Sequence, residues 1–83
     1  MENSFRVKVF SLSKGLEFID NVRIIRIKSD DYNLLLMPGY MSILGEIDGD
    51  VDFELDDDTI HYNNIVAYYV HSNDEFSLLL KEI

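Results

Sequence analysis

The sequence predicts an all-β fold: a single small β-sandwich of about seven to nine short strands spanning residues 1–83. Three observations carry this expectation. Short apolar or alternating segments recur between polar turns at spacings of about 8 to 12 residues, as in sandwiches and barrels. The run Leu34-Leu35-Leu36-Met37 is stopped by Pro38-Gly39, because proline lacks a ladder donor and the glycine can take the positive φ of a tight turn. No stretch joins a helical period to capping residues.

Each element follows from its own pattern. Phe5, Val7 and Val9 alternate with Arg6 and Lys8, a strand with one wet face. Ser11 to Gly15 is a polar loop. Leu16 to Ile19 forms a short strand before an Asp20-Asn21 turn. Val22 to Lys28 is β-branched and extended, with a slip in its alternation at Ile24-Ile25 that implies a bulge or cover on both faces. After a turn at Ser29-Asp30-Asp31, Leu34 to Met37 suits a strand covered on both faces. A strand follows over about residues 42 to 47, with Gly45 its weak point. Asp50, Asp52, Glu54 and Asp56 then alternate with Val51, Phe53 and Leu55, placing carboxylates on one side and apolar groups on the core. Asp56-Asp57-Asp58 turns the chain, Thr59 to Tyr62 pairs back, and Asn63-Asn64 breaks that arm. Ile65 to His71 is another strand, Ser72-Asn73-Asp74 a loop, and Glu75 to Lys81 the closing strand, with Phe76, Leu78 and Leu80 on one side.

Composition bounds the functional classes. With 47% apolar residues, ten Phe or Tyr and one proline, the chain is a globule and not a disordered tail. At 83 residues it buries only about 60% of its unfolded surface, so its stability is modest or shared with a partner. There is no cysteine, hence no disulfide or thiolate metal site. No apolar run reaches the roughly 20 residues that span a bilayer, and the first residues lack the basic and apolar regions of a secretory signal, so a cytoplasmic location without direct membrane insertion is expected. Charge is uneven: residues 1–28 carry six basic groups against three carboxylates, and residues 29–83 carry Lys81 against thirteen. Such a field would repel nucleic acid and anionic lipid and attract a basic partner, or would be a solvated acidic face that only keeps the domain soluble.

No constellation points to a reaction. The carboxylates from Asp48 to Asp58 invite comparison with a calcium loop, but the glycine and glutamate such a loop needs at its sixth and twelfth positions are Phe53 and Thr59 here. His61 and His71 fall on different strands without a third ligand and read as surface or rim residues. No serine sits in a nucleophile elbow, and no phosphate-binding glycine loop precedes a lysine. Neither an enzyme nor a cofactor is expected.

One resemblance supplies a function. Phe5 to Ser11, Val22 to Lys28, and Leu34-x-Leu36-Met37-Pro38-Gly39-Tyr40-x-x-Ile43-Leu44 resemble the N-terminal β-sandwich domain of the epsilon subunit of F-type ATP synthases. There a strand ending in Leu-Gly-Ile-Leu-Pro-Gly-His leads through Ala-Pro-Leu to a Lys-Pro-Gly turn. Phe76 to Leu80 is similar to that family's Val-Thr-Val-Leu-Ala ending. The departures are Tyr40 for the histidine, Met41-Ser42 for Ala-Pro, Asp48-Gly49-Asp50 for the Lys-Pro-Gly turn, and Asn63-Asn64-Ile65 for Ser-Gly-Gly. The family's C-terminal helical hairpin has no counterpart up to Ile83, which implies a subunit lacking that inhibitory region.

The resemblance implies a non-catalytic central-stalk subunit of an F-type ATP synthase, or of a related F-type-like ATPase motor. It would dock on a gamma-like rotor subunit within an alpha/beta/gamma complex, with a membrane ring as a further contact. By position, Ser11 and Tyr40 would lie toward gamma, and Asp31 and Asn33 toward the ring, Asn33 standing where some members carry glutamate. Two other classes remain open. An acidic β protein can mimic nucleic acid and inhibit a DNA-binding enzyme, the Asp50 to Asp58 edge being the suggestive feature. A small ligand-binding barrel would need a pocket lined by tyrosines.

Overall fold

The computed structural model describes residues 4–81. Their strands are β1 (Phe5–Ser11), β2 (Gly15–Val22), β3 (Ile24–Ser29), β4 (Asn33–Leu36), β5 (Ile43–Glu54), β6 (Thr59–Ser72) and β7 (Glu75–Lys81), and the fold is all-β. They form one sheet in the order β2-β1-β7-β6-β5-β3-β4. Every neighbouring pair is antiparallel except β1 and β7, which run parallel.

This sheet folds over on itself into two layers. Val22 on one edge strand and Leu36 on the other are both fully buried in the same cluster, which a flat sheet could not achieve. The long strands β5 and β6 make the fold-over. The first half of β5 pairs with the second half of β6 in a wide layer with β7, β1 and β2. The second half of β5 pairs with β3 and the start of β6 in a narrower layer with β4. Between the layers the ring of Phe76 stacks on Tyr69 at 5.5 Å and meets the edge of Phe53 at 5.9 Å, spacings at which aromatic pairs attract.

The strand count falls at the low end of the expected range because two expected breaks face each other and form one bulge. Residues 42–47 and 50–56 were expected as separate strands, as were 59–62 and 65–71; each pair is one continuous strand. Between the pairs Gly49↔Ile65 and Val51↔Tyr62, β6 advances three residues against two on β5. Asn64 absorbs the extra residue at φ 55° and donates its N–H to Asp50 Oδ1 at 2.9 Å. Asparagine tolerates this left-handed backbone, and one such residue bends a strand without ending it. The same device carries β2 through Asp20-Asn21, where a turn was expected: Asn21 has φ 64°, opposite an irregularity between Phe5 and Val7.

The slip at Ile24-Ile25 is partial cover of both faces and not a bulge: Ile24 is half-buried and Ile25 fully buried, just past Arg23, the corner where the chain leaves β2 for β3. The Leu34 run, by contrast, is not covered on both faces as expected. It forms edge strand β4, with Leu36 buried, Leu34 half-buried and Leu35 exposed. Beyond it Gly39 adopts φ 89° and donates its N–H to Asp74 Oδ1 at 2.8 Å. Asn73 and Asp74, both at positive φ, make a two-residue hairpin loop between the paired Ser72 and Glu75, as a type I′ turn requires.

At Gly45 the sheet is tight, not weak. A Cβ there would lie 2.7 Å from the Tyr69 hydroxyl, so the absent side chain makes room for a buried ring. The Tyr32 hydroxyl lies 3.1 Å from that of Tyr69 and donates to the Glu46 carbonyl at 2.7 Å. Burial first, then the Tyr69 hydroxyl, hold the Tyr32 phenol well above the usual tyrosine range. Burial, with Glu17 adding, raises Tyr62 as well. The sign follows from linkage. Up to about pH 10 both states keep these protons; above it the unfolded chain loses them first, so stability falls as pH rises. Urea melts of Tyr32→Phe are expected to show a shallower alkaline loss than wild type, with Tyr62 among the groups that supply what remains; an unchanged slope would refute the role given to Tyr32.

Candidate docking face

The wide layer presents an outward face built by strand alternation. Inward positions Val7, Val9, Ala67, Tyr69, Phe76 and Leu78 enter the core, so their neighbours must point out. Register sets those neighbours in rows. One row runs Leu16, Phe10, Leu79, Tyr68, Glu46 across β2, β1, β7, β6 and β5; the next runs Phe18, Lys8, Ser77, Val70, Leu44. Seven of these ten are large apolar residues between 39% and 81% exposed. Five strands at about 4.8 Å spacing make the face about 19 Å wide. A contiguous apolar area of this kind makes the face a candidate interaction surface.

Charged groups frame it. Arg6 pairs with Asp20 at 3.1 Å and lies 5.8 Å above the Phe18 ring, and Lys81 sits 4.6 Å above Tyr68. These contacts spread cationic stems over aromatic faces and keep the charges at the margin.

The four residues assigned by resemblance occupy different places. Ser11 is buried at the β1–β2 turn, where its Oγ accepts the Lys14 N–H at 3.1 Å. Tyr40 is exposed in the loop after β4, whose Gly39 is tied to the β6–β7 turn at the far end of the same layer. The two are thus separated by roughly the length of β1, about 20 Å at 3.3 Å per residue, with the apolar face between them. Asp31 and Asn33 are exposed together in and beside the β3–β4 turn, on the narrow layer.

The acidic strand is largely neutralised from within. Antiparallel pairing of β3 with β5 sets Arg26 opposite Asp52 and Lys28 opposite Asp50. Arg26 pairs with Glu54, Lys28 reaches Asp52 at 3.9 Å, and Arg23 holds Asp56 at 2.9 Å. His61 Nδ1 lies 2.8 Å from Asp52, while Asp50 braces the β6 bulge. The alternating carboxylates therefore do not form a free anionic array.

The histidines differ. His61 lies on the surface as expected, but His71 is fully buried and not a rim residue. The residue 37–42 loop covers it, its Nδ1 lying 3.1 Å from the Met41 carbonyl, and the Phe5 ring meets it edge-on at 5.3 Å. Among the described residues its Nε2 has no hydrogen-bond partner, and it is 3.8 Å from Asp74 Oδ1. Among the described residues no group of three or more His, Asp or Glu could hold a metal ion, and no helix is long and apolar enough to cross a membrane. An open groove of about 460 Å³ runs between the β1–β2 turn and the β6 bulge, with Tyr62 its one aromatic lining residue.

Sequence reasoning missed the docking face. Its signal was present in apolar residues of both parities, such as Tyr68 and Val70 beside Ala67 and Tyr69, and Leu79 between Leu78 and Leu80. Compared with known proteins, the chain matches no family model and no curated relative.

Proposed function

We propose that this chain is a non-catalytic adaptor that works by docking the outer face of its wide layer on a larger partner. The particular reading is a central-stalk subunit of the epsilon kind, in an F-type ATP synthase or a related F-type-like ATPase motor, held on a gamma-like subunit in the cytoplasm at the membrane periphery. The observation that carries the proposal is the apolar face from Leu16 to Leu44, where seven large apolar residues are exposed side by side. The resemblance of Leu34 to Leu44 to the Leu-Pro-Gly region of that family selects the partner. Asp31 and Asn33 would then face a membrane ring.

The test is purification of the tagged chain from its native host near 0.15 M salt, where weak charge contacts are screened. Alpha, beta and gamma ATPase subunits are expected in constant ratio through gel filtration. A lone monomer lacking those subunits, or one that instead inhibits a DNA-binding enzyme, would overturn the reading.

A further inference from the structure

Among the described residues, the docking face contains one cation without a carboxylate partner. Lys8 is the second of five residues in the second row, with Phe18 and Ser77 as cross-strand neighbours and Phe10 two residues on along β1. It is half-buried and, among the described residues, in no ion pair, whereas Arg6, Arg26 and Lys28 each have a carboxylate. The carboxylates on the same face are engaged or at its margin: Asp20 holds Arg6, Glu75 lies in the Arg6 row, and Glu46 lies beyond Tyr68. Covering this face with a partner would strip water from Lys8 without giving it an internal counter-ion. A charge buried without a counter-ion carries a heavy desolvation penalty, so a partner that covers this face is expected to supply the opposite charge.

On the reading that this face docks a gamma-like subunit, we infer that the partner's contact patch is apolar with a carboxylate set against Lys8. The partner is therefore acidic at this point, although the chain's own net charge of −9 would by itself select a basic one. Charge complementarity is local: β5 carboxylates answered by β3 bases cannot attract a second protein as free groups would, whereas Lys8 can.

The test uses the intact complex. A carbodiimide, which joins an amine to a carboxylate with loss of water, is expected to link Lys8 to an Asp or Glu of the gamma-like subunit, read by mass spectrometry of the linked peptides. Lys8→Met is expected to weaken binding at least about 30-fold and Lys8→Glu further, with Lys8→Arg restoring most of it. These variants lie on a solvent face, and unchanged thermal midpoints would confirm their folding. A complex that forms with Lys8 still open to acetylation, or that tightens in Lys8→Glu, overturns the acidic-patch inference alone. Absence of the ATPase subunits, or a Lys8 link to Glu46 or Glu75 of a second copy, overturns the docking reading together with it.

Discussion

Gly49→Ala is expected to destabilise the domain by about 3–4 kcal/mol, the largest effect of any single-methyl addition considered. At this point β3 and β5 approach so closely that a Cβ on Gly49 would sit 2.1 Å from the Lys28 carbonyl oxygen. The obstacle is backbone and cannot swing aside as a side chain could. Relief would require parting the two strands where Ser29 pairs with Gly49 and where the Asp30 N–H donates to the Asp48 carbonyl at 3.0 Å. A domain of this length is stable by roughly 4–12 kcal/mol at 0.05–0.15 kcal/mol per residue, so the variant would lie near its unfolding threshold. Urea melts should show a large fall in midpoint at unchanged slope. Gly39→Ala is the control: no atom lies within 4 Å of its added carbon and its cost is confined to the positive φ of 89°, about 1–2 kcal/mol. Equal losses in the two variants would show that the close approach at Gly49 is not what matters.

Phe76→Ala is expected to cost about 3–5 kcal/mol. Its ring is fully buried and touches Tyr69 in its own layer and Phe53 in the other, so truncation opens a cavity at the seam that holds the layers together. Tyr69 cannot collapse into the gap easily, because it lies against Gly45 and Tyr32. Phe76→Leu keeps most of the volume and is expected to lose under about 1.5 kcal/mol. If alanine at this position cost no more than leucine, the seam would be packed by other residues.

Strand existence was legible, and strand continuity was not. Alternation in Phe5 to Val9 and in Val51 to Leu55 identifies β1 and the second half of β5 directly, since a period of two admits only one assignment. Asn21 and Asn64 misled because asparagine at positive φ serves both turns and bulges; which one it becomes depends on the strand lying opposite, and that information is not local. The local pairing of charges was hidden for the same reason. The basic first third and acidic remainder of the chain look like a field awaiting another protein, yet pairing of β3 with β5 brings Arg26 and Lys28 against Asp50 to Glu54. The docking face escaped notice because each of its residues is unremarkable on its own strand. Its contiguity exists only once β2, β1, β7, β6 and β5 are laid in that order.

The parallel pairing of Arg6 to Phe10 with Glu75 to Leu79 has a consequence for how the molecule comes into being. The β1–β2 hairpin can form as soon as it leaves the ribosome, but its apolar underside stays uncovered until β7 has been made as well. Closure then depends on a meeting of segments far apart in sequence, an arrangement that slows folding to the range of milliseconds to seconds. During that interval the nascent protein is most vulnerable to aggregation, and a binding partner or chaperone present at synthesis would act at that stage.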